Sequence, residues 1–287
     1  YITGEFMKKL IINADDFGLH PLINKGIIEG HQKGMITSTS IMPGAPYFEE
    51  AAHLAAQNPE LGIGIHLTLV GGVAPVLKKG VNSLLTSQGV FAEDYTVFAK
   101  KWYTGSIKRS ELEQELRAQI EKVLESGIKP THIDSHQHMH VLPGIAGMVI
   151  RLCREYGIRK IRMPEESIFW TGGFSAGAGR KIGRDGLSFC IALGKSTAKK
   201  AGLIYPQHFF GMLAGGNLNE LLVKNILLGL PEGTSEIMTH PGADNVLLAQ
   251  NFKWGYHWHD ELNAFLSESN KNIARKQGIE LINFGRL

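Results

Sequence analysis

The 287-residue sequence has only two cysteines, Cys153 and Cys190, and neither stands in a CxxC pair. A disulfide framework is therefore not expected and a thiolate zinc site is excluded, and an inert thiol in an apolar helix is the reading for each. There is no run of eighteen apolar residues, so no membrane-spanning helix is expected. There is no block of five like charges, and the formal net charge is only +3, from 30 bases and 27 acids. Nucleic acid and an anionic membrane surface are accordingly not expected as partners. No secretory leader is recognisable, which makes the cytoplasm the expected compartment. Residues 1–6, YITGEF, read as a cloning remnant ahead of a natural start at Met7. No GxGxxG follows the first apolar segment, and no internal repeat or low-complexity tract occurs.

What is present is ordinary globular material, 43% hydrophobic and 20% charged, arranged as alternating strand and helix patterns. Strands are predicted at 9–14, 36–42, 61–69, 131–135, 160–163, 207–211, 236–239 and 280–284. Helices are predicted at 22–33, 47–57, 111–125, 145–155, 187–200, 218–228 and 260–277, with Asn217 and Asp260 as caps. Strands separated by helices imply a parallel sheet. Seven or eight such units favour an α/β fold of the (β/α)-barrel type, one domain over 7–287, above an open doubly wound sheet. Stretches 71–110 and 169–186 break the rhythm and read as insertions or long loops walling a site.

In parallel α/β folds the carboxyl ends of the strands carry the site. The first strand ends in Asp15 and Asp16, within LIINADDFGLH. The third, LGIGIHLTL, contains His66. The fourth, THIDSHQHMH, ends in Asp134, His136, His138 and His140. The fifth, IRMPEES, offers Arg162 and Glu165, and EIMTHPG ends in His240. Singly, each has an ordinary explanation: a helix cap for the Asp pair, a hydrogen-bonded core imidazole for His66, a turn residue for His240. The fourth strand is different, because its alternating histidines would share one face of an extended chain, and packing alone does not account for such a cluster. Carboxylate plus imidazole donors suit zinc, iron, manganese, cobalt or nickel, and in a looser site magnesium. A divalent ion would also relieve two adjacent carboxylates, one binding it while the other serves as base. Neighbouring strand residues point to opposite sides, so the strand is expected to stop at the pair, with Gly18 allowing the turn.

NADDFG, TSTSIMPGAP, LGIGIHLTL, THIDSHQHMHVLP and EIMTHPG together resemble the YdjC family of carbohydrate deacetylases, which includes chitooligosaccharide deacetylases. These motifs run from residue 10 to about 242. The resemblance implies a distorted TIM-like barrel that removes N-acetyl groups from glucosamine-containing oligosaccharides, using one divalent ion, Mg or Zn. Carried over, Asp16, His66 and His136 would be the metal ligands and Asp15 the general base. His240 would be the general acid, by a parallel with polysaccharide deacetylases. AGLIYPQHFFGMLAGGNLNELL also resembles a hopanoid-glycolipid branch, which makes a lipid-linked N-acetylglucosamine the alternative substrate.

Around that core, Asp134 and His138 are candidates for orienting ligands or water, while His140 reads as structural. Arg162 would hold Asp15 or pair with Glu165 or Glu166. Phe17, Trp170 and Phe174 are candidates for stacking on a sugar, against simple packing. A two-metal phosphoesterase, another amidohydrolase and a non-catalytic sugar-binding protein are the competing readings. A homodimer is compatible with the sequence.

Overall fold

The structure, a computed structural model, describes residues 7–167 and 172–287. Seven parallel strands form one sheet: β1 (Lys8–Phe17), β2 (Ser38–Ile41), β3 (Gly62–Leu67), β4 (His132–Ser135), β5 (His208–Phe210), β6 (Gly233–Thr239) and β7 (Ile279–Leu281). Their order is β4-β3-β2-β1-β6-β5, with β7 against the start of β1. Eight consecutive residues of β1 are buried, as expected of a central parallel strand covered on both faces. Beyond β4 the ring continues through isolated parallel bridges, Ile133 to Ile161 and then Lys160 to Ile204, just ahead of β5. The fold is thus α/β, a distorted TIM-like barrel, laddered along β4 to β5 and joined elsewhere by single bridges.

Ten α-helices are seen among the described residues: α1 (Pro21–Lys33), α2 (Phe48–Gln57), α3 (Tyr95–Tyr103), α4 (Arg109–Glu125), α5 (Ala146–Glu155), α6 (Ala178–Lys200), α7 (Glu220–Leu228), α8 (Asn245–Asn251), α9 (Trp258–Leu266) and α10 (Glu268–Lys276). None of them is long and apolar enough to cross a membrane. Helix α1 starts where His20 Nδ1 accepts from the Leu22 N–H, with Pro21 at its first position. It lies close to the chain after β6 because Gly26 has no side chain; a Cβ there would meet Gly242 Cα at 2.6 Å. Helix α4 buries Leu112, Leu116, Ile120 and Val123 at helical spacing. Its buried Glu115 accepts from the Val76 and Leu77 N–H groups, at 2.8 and 3.0 Å, and so ties down the chain that follows β3.

Several local expectations are corrected. Segment 160–163 is no strand but two bridged residues. The stretch 71–110 holds α3, which Asp94 caps by accepting from the Thr96 N–H. Helix α6 begins at Ala178, inside the stretch expected to be loop, despite its glycines. Arg180 anchors that end by donating to the Leu213 and Gly215 carbonyls. The cap of α7 is Asn219 rather than Asn217, its side chain accepting from the Leu222 N–H. The expected 260–277 helix is two, broken at Ser267, and Asp260 lies in the first turn of α9 rather than at its cap.

Candidate metal centre

Asp15 and Asp16 do not end β1; they sit in a bulge within it. The β1–β2 register shifts between Ala14 and Phe17, and Asp16 adopts φ 69°. A bulge lets two successive side chains serve the same site instead of opposite faces. Aspartate is among the few residues that tolerate this left-handed geometry, at a cost of about 1–3 kcal/mol. Both carboxylates end up buried.

They are then claimed by different partners. Asp15 receives both arms of Arg162, each at 2.7 Å, and the Asn13 amide at 2.9 Å. Asp16 Oδ1 lies 2.9 Å from His136 Nδ1 and 3.4 Å from His66 Nε2. His66 Nδ1 lies 2.8 Å from Asp134 Oδ1. An ionised carboxylate only accepts, so Nδ1 carries the hydrogen and Nε2 is the atom turned to Asp16. Ser40 holds Asp134 from the other side at 2.7 Å.

The donors fit a divalent cation on three counts. Atoms of Asp16, His66 and His136 lie within 4.8 Å of one another. With bonds of about 2.1 Å, adjacent ligands of one ion stand about 3.0–3.4 Å apart, close to the 2.9 and 3.4 Å separations here. Asp16 Oδ2 is buried without a hydrogen-bond partner, an orphaned acceptor where an ion would bind. The local field also demands positive charge. Burial pulls the His66 imidazolium down, yet Asp134 and Asp15 push it up to about 10. Burial likewise works against an ionised Asp16, yet His136 and His66 hold it well below the usual carboxylate range.

A second donor set, Asp15, His66 and Asp134, meets the same spacing test. That place is already filled by the Arg162 guanidinium, which also lies 2.9 Å from Asp134 Oδ2. Arg162 is fully buried and pairs with neither Glu165 nor Glu166. Glu165 pairs with Lys195, and Glu166 accepts the Gly211, Met212 and Leu213 N–H groups. The remaining partner of Arg162 is Glu236 in β6, at 2.7 Å. Burial drives the Glu236 carboxyl up and Arg162 draws it back, to about 7.

His240 follows β6. Its N–H donates to Glu261, which also accepts from Thr239 and Leu218 and so fixes the turn. Its buried Nδ1 has no hydrogen-bond partner, and its ring lies 4.9 Å from that of Tyr256. The histidines after β4 do not share a face. Gln137 and His138 take φ values of 50° and 58°, so the chain coils; His136 goes to Asp16 while the His138 and His140 rings meet edge-on at 6.4 Å. His138 packs edge-on against Phe209, and its buried Nδ1 has no hydrogen-bond partner. His140 is held between Ser135 Oγ and the Arg162 carbonyl, as a structural residue would be. Phe17 is fully buried in the core and offers no face to a sugar. Phe174 lies under Arg180, and Trp170 falls outside the described residues.

Glu236 and Trp254 belong to the site without having been expected. A glutamate inside an apolar parallel strand was the signal for the first. For the second it was the alternation of aromatics at 252, 254, 256 and 258; the Trp254 ring lies 5.6 Å from that of His136.

The profile of the YdjC-like protein family matches residues 9–276. A carbohydrate deacetylase of Brevibacillus brevis is 32% identical over 285 residues, covering 97% of this chain and 99% of that protein. One of Clostridium beijerinckii is 32% identical over 276 residues, covering 96% and 98%. A solved Enterococcus faecalis protein, with a proposed role in cellobiose-phosphate cleavage, superposes with a TM-score of 0.77 at 28% identity over 98% of each chain. With the profile running from β1 to the last residue of α10, the chain belongs to the YdjC-like protein family.

Proposed function

We propose that this chain is a carbohydrate N-deacetylase dependent on one divalent ion, acting on N-acetylglucosamine-containing oligosaccharides and releasing acetate. The observation that carries the reading is the separation of the two adjacent carboxylates: Asp16 faces two imidazoles while Asp15 lies in the fork of Arg162. The deacetylases of B. brevis and C. beijerinckii, similar along nearly their whole length, support the same reaction.

Asp16, His66 and His136 would hold the ion, zinc or magnesium in this reading. When bound it would supply Lewis acidity toward the acetamide carbonyl and acidify water toward a pKa of about 7. Asp15 takes the proton from the attacking water, its two oxygens oriented by Arg162 and Asn13. Arg162 keeps that carboxylate from rotating onto the ligands. His240 gives a proton to the departing sugar amine from its ring, which Glu261 positions through the backbone. The Arg162 guanidinium also occupies the place where a second ion would bind, which disfavours a two-metal phosphoesterase.

Acetate release from N,N'-diacetylchitobiose and from a lipid-linked N-acetylglucosamine, with bound metal measured in parallel, tests this reading. Asp16→Ala, His66→Ala and His136→Ala should each lose the ion; retention in all three would sink the ligand set. Asp15→Asn should keep the ion and lose about two to four orders of magnitude in turnover. Near-normal turnover would remove Asp15 from the role of base.

A further inference from the structure

We propose that a strip of aromatic rings leading away from His136 is an extended subsite for the remainder of the oligosaccharide chain. The inference rests on the deacetylase reading above and adds to it a place for the sugars beyond the reacting one. The strip begins at Trp254, whose ring lies 5.6 Å from His136 at an interplanar angle of 42°. Phe252 follows at 4.8 Å, its ring tilted 34° from that of Trp254. His20 stands edge-on to Phe252 at 6.1 Å, and Tyr47 edge-on to His20 at 5.9 Å. Tyr47 is 39% exposed, and the three rings between it and His136 are half-buried. The strip therefore runs from the candidate ion to solvent.

Four separate segments build it: the chain after β4, the loop after α8, the residue before α1 and the residue before α2. Phe252 and Trp254 pack one side against the core and keep part of their area in solvent. Aromatic rings offer flat apolar area to the C–H faces of pyranose rings, and a sugar also needs polar groups at the edge of that platform. His20 provides one. Its Nδ1 accepts from the Leu22 N–H, so the neutral imidazole carries its hydrogen on Nε2. No protein acceptor for that hydrogen is seen among the described residues, and it can donate to a sugar hydroxyl. The reacting N-acetyl group would sit at the His136 end, with the rest of the chain lying along Trp254, Phe252, His20 and Tyr47 in turn.

The variant Tyr47→Ala tests the strip at its outer end, remote from the candidate ion. Binding of N-acetylated chitooligosaccharides of increasing length is followed by stopped-flow tryptophan fluorescence before turnover, and acetate release is followed separately. In the unaltered protein affinity should rise with chain length. In Tyr47→Ala the longer chains should lose about five- to tenfold, the size of one aromatic contact, while the disaccharide keeps its kcat and affinity. Phe252→Ala should lose affinity at shorter lengths than Tyr47→Ala does. Affinity that does not rise with length, equal losses at every length, or no loss in Tyr47→Ala would each overturn the subsite, as would no binding at any length. Length-dependent binding without acetate release would leave the subsite standing and refute the reaction.

Discussion

A single guanidinium organises this site. Arg162 is fully buried and meets Asp15, Asp134 and Glu236 at 2.7, 2.9 and 2.7 Å. A planar fork can hold both oxygens of Asp15 at once, which an ammonium cannot. Arg162→Lys is therefore expected to keep the ion and lose about 100-fold in kcat, the usual effect of a misplaced catalytic group. Metal analysis beside acetate kinetics checks this, and unchanged kcat would show that the fork does not position Asp15. A second residue-scale expectation concerns acid. Burial pulls His132 down to about 3 and His140 down to about 4, while unfolded histidine titrates near 6.5. The unfolded chain therefore binds protons first as pH falls below about 6.5, and stability drops until the folded-state values are reached. His132→Asn keeps polar atoms near Ser40 and Thr131 but does not titrate. It should lose less in Tm between pH 7 and pH 4.5 than the unaltered protein; an equal loss would remove His132 from the acid response. Polar groups gathered at strand ends marked the candidate site in the sequence, and the choice of Asp16, His66 and His136 as ligands came from the resemblance to the YdjC family. The division between Asp15 and Asp16 came from the same resemblance, whereas the bulge and the left-handed Asp16 that separate them were not foreseen. Glu236 escaped notice because the strand was read as starting at it, whereas β6 begins at Gly233 and carries Glu236 inside.

At the scale of elements, strand positions were well read wherever apolar runs were long, as in β1 and β3. The failures have three causes: a tertiary anchor, a local cap and two left-handed residues. The glycine-bearing start of α6 is helical because Arg180 is pinned to two carbonyls. The run at 260–277 is broken because Ser267 accepts from the Asn270 N–H and starts a new helix. The histidines after β4 do not share a face because two successive residues turn left-handed, which no periodicity argument foresees. The contact of α1 with the chain after His240 is the element-scale feature most open to test. Gly26→Ala places a methyl 2.6 Å from Gly242 Cα and 2.8 Å from its nitrogen. Alanine favours a helix by about 0.5–1 kcal/mol, but overpacking costs about 1–3 kcal/mol. The net expectation is a lower Tm, with a fall in activity as the Gly242 segment shifts His240. A higher Tm would mean that α1 moves aside freely.

Over the whole molecule, two aspartates and a glutamate converge on one buried arginine with Asp16 beside them, and excess negative charge is left at the mouth of the barrel. A bound divalent ion should therefore stabilise the native state by mass action, about 2.7 kcal/mol at a hundredfold excess over Kd. Chelation should lower the Tm of the unaltered protein and leave that of Asp16→Ala nearly unmoved. Equal shifts in both would place the stabilising ion elsewhere. The barrel itself was foreseeable from the alternation of elements, but its uneven closure was not, because strand pairing is decided by register rather than composition. That unevenness has a consequence for motion. From β4 through β1 to β5 the ring is held by continuous ladders, whereas between β4 and the approach to β5 it is held at Ile133–Ile161 and Lys160–Ile204. In amide hydrogen exchange, the N–H groups of Ile133, Ile161 and Ile204 should lose protection well before those of β1 and β6. The cylinder would then open along one seam, beside Arg162, and the wall nearest the proposed base would be the first to breathe.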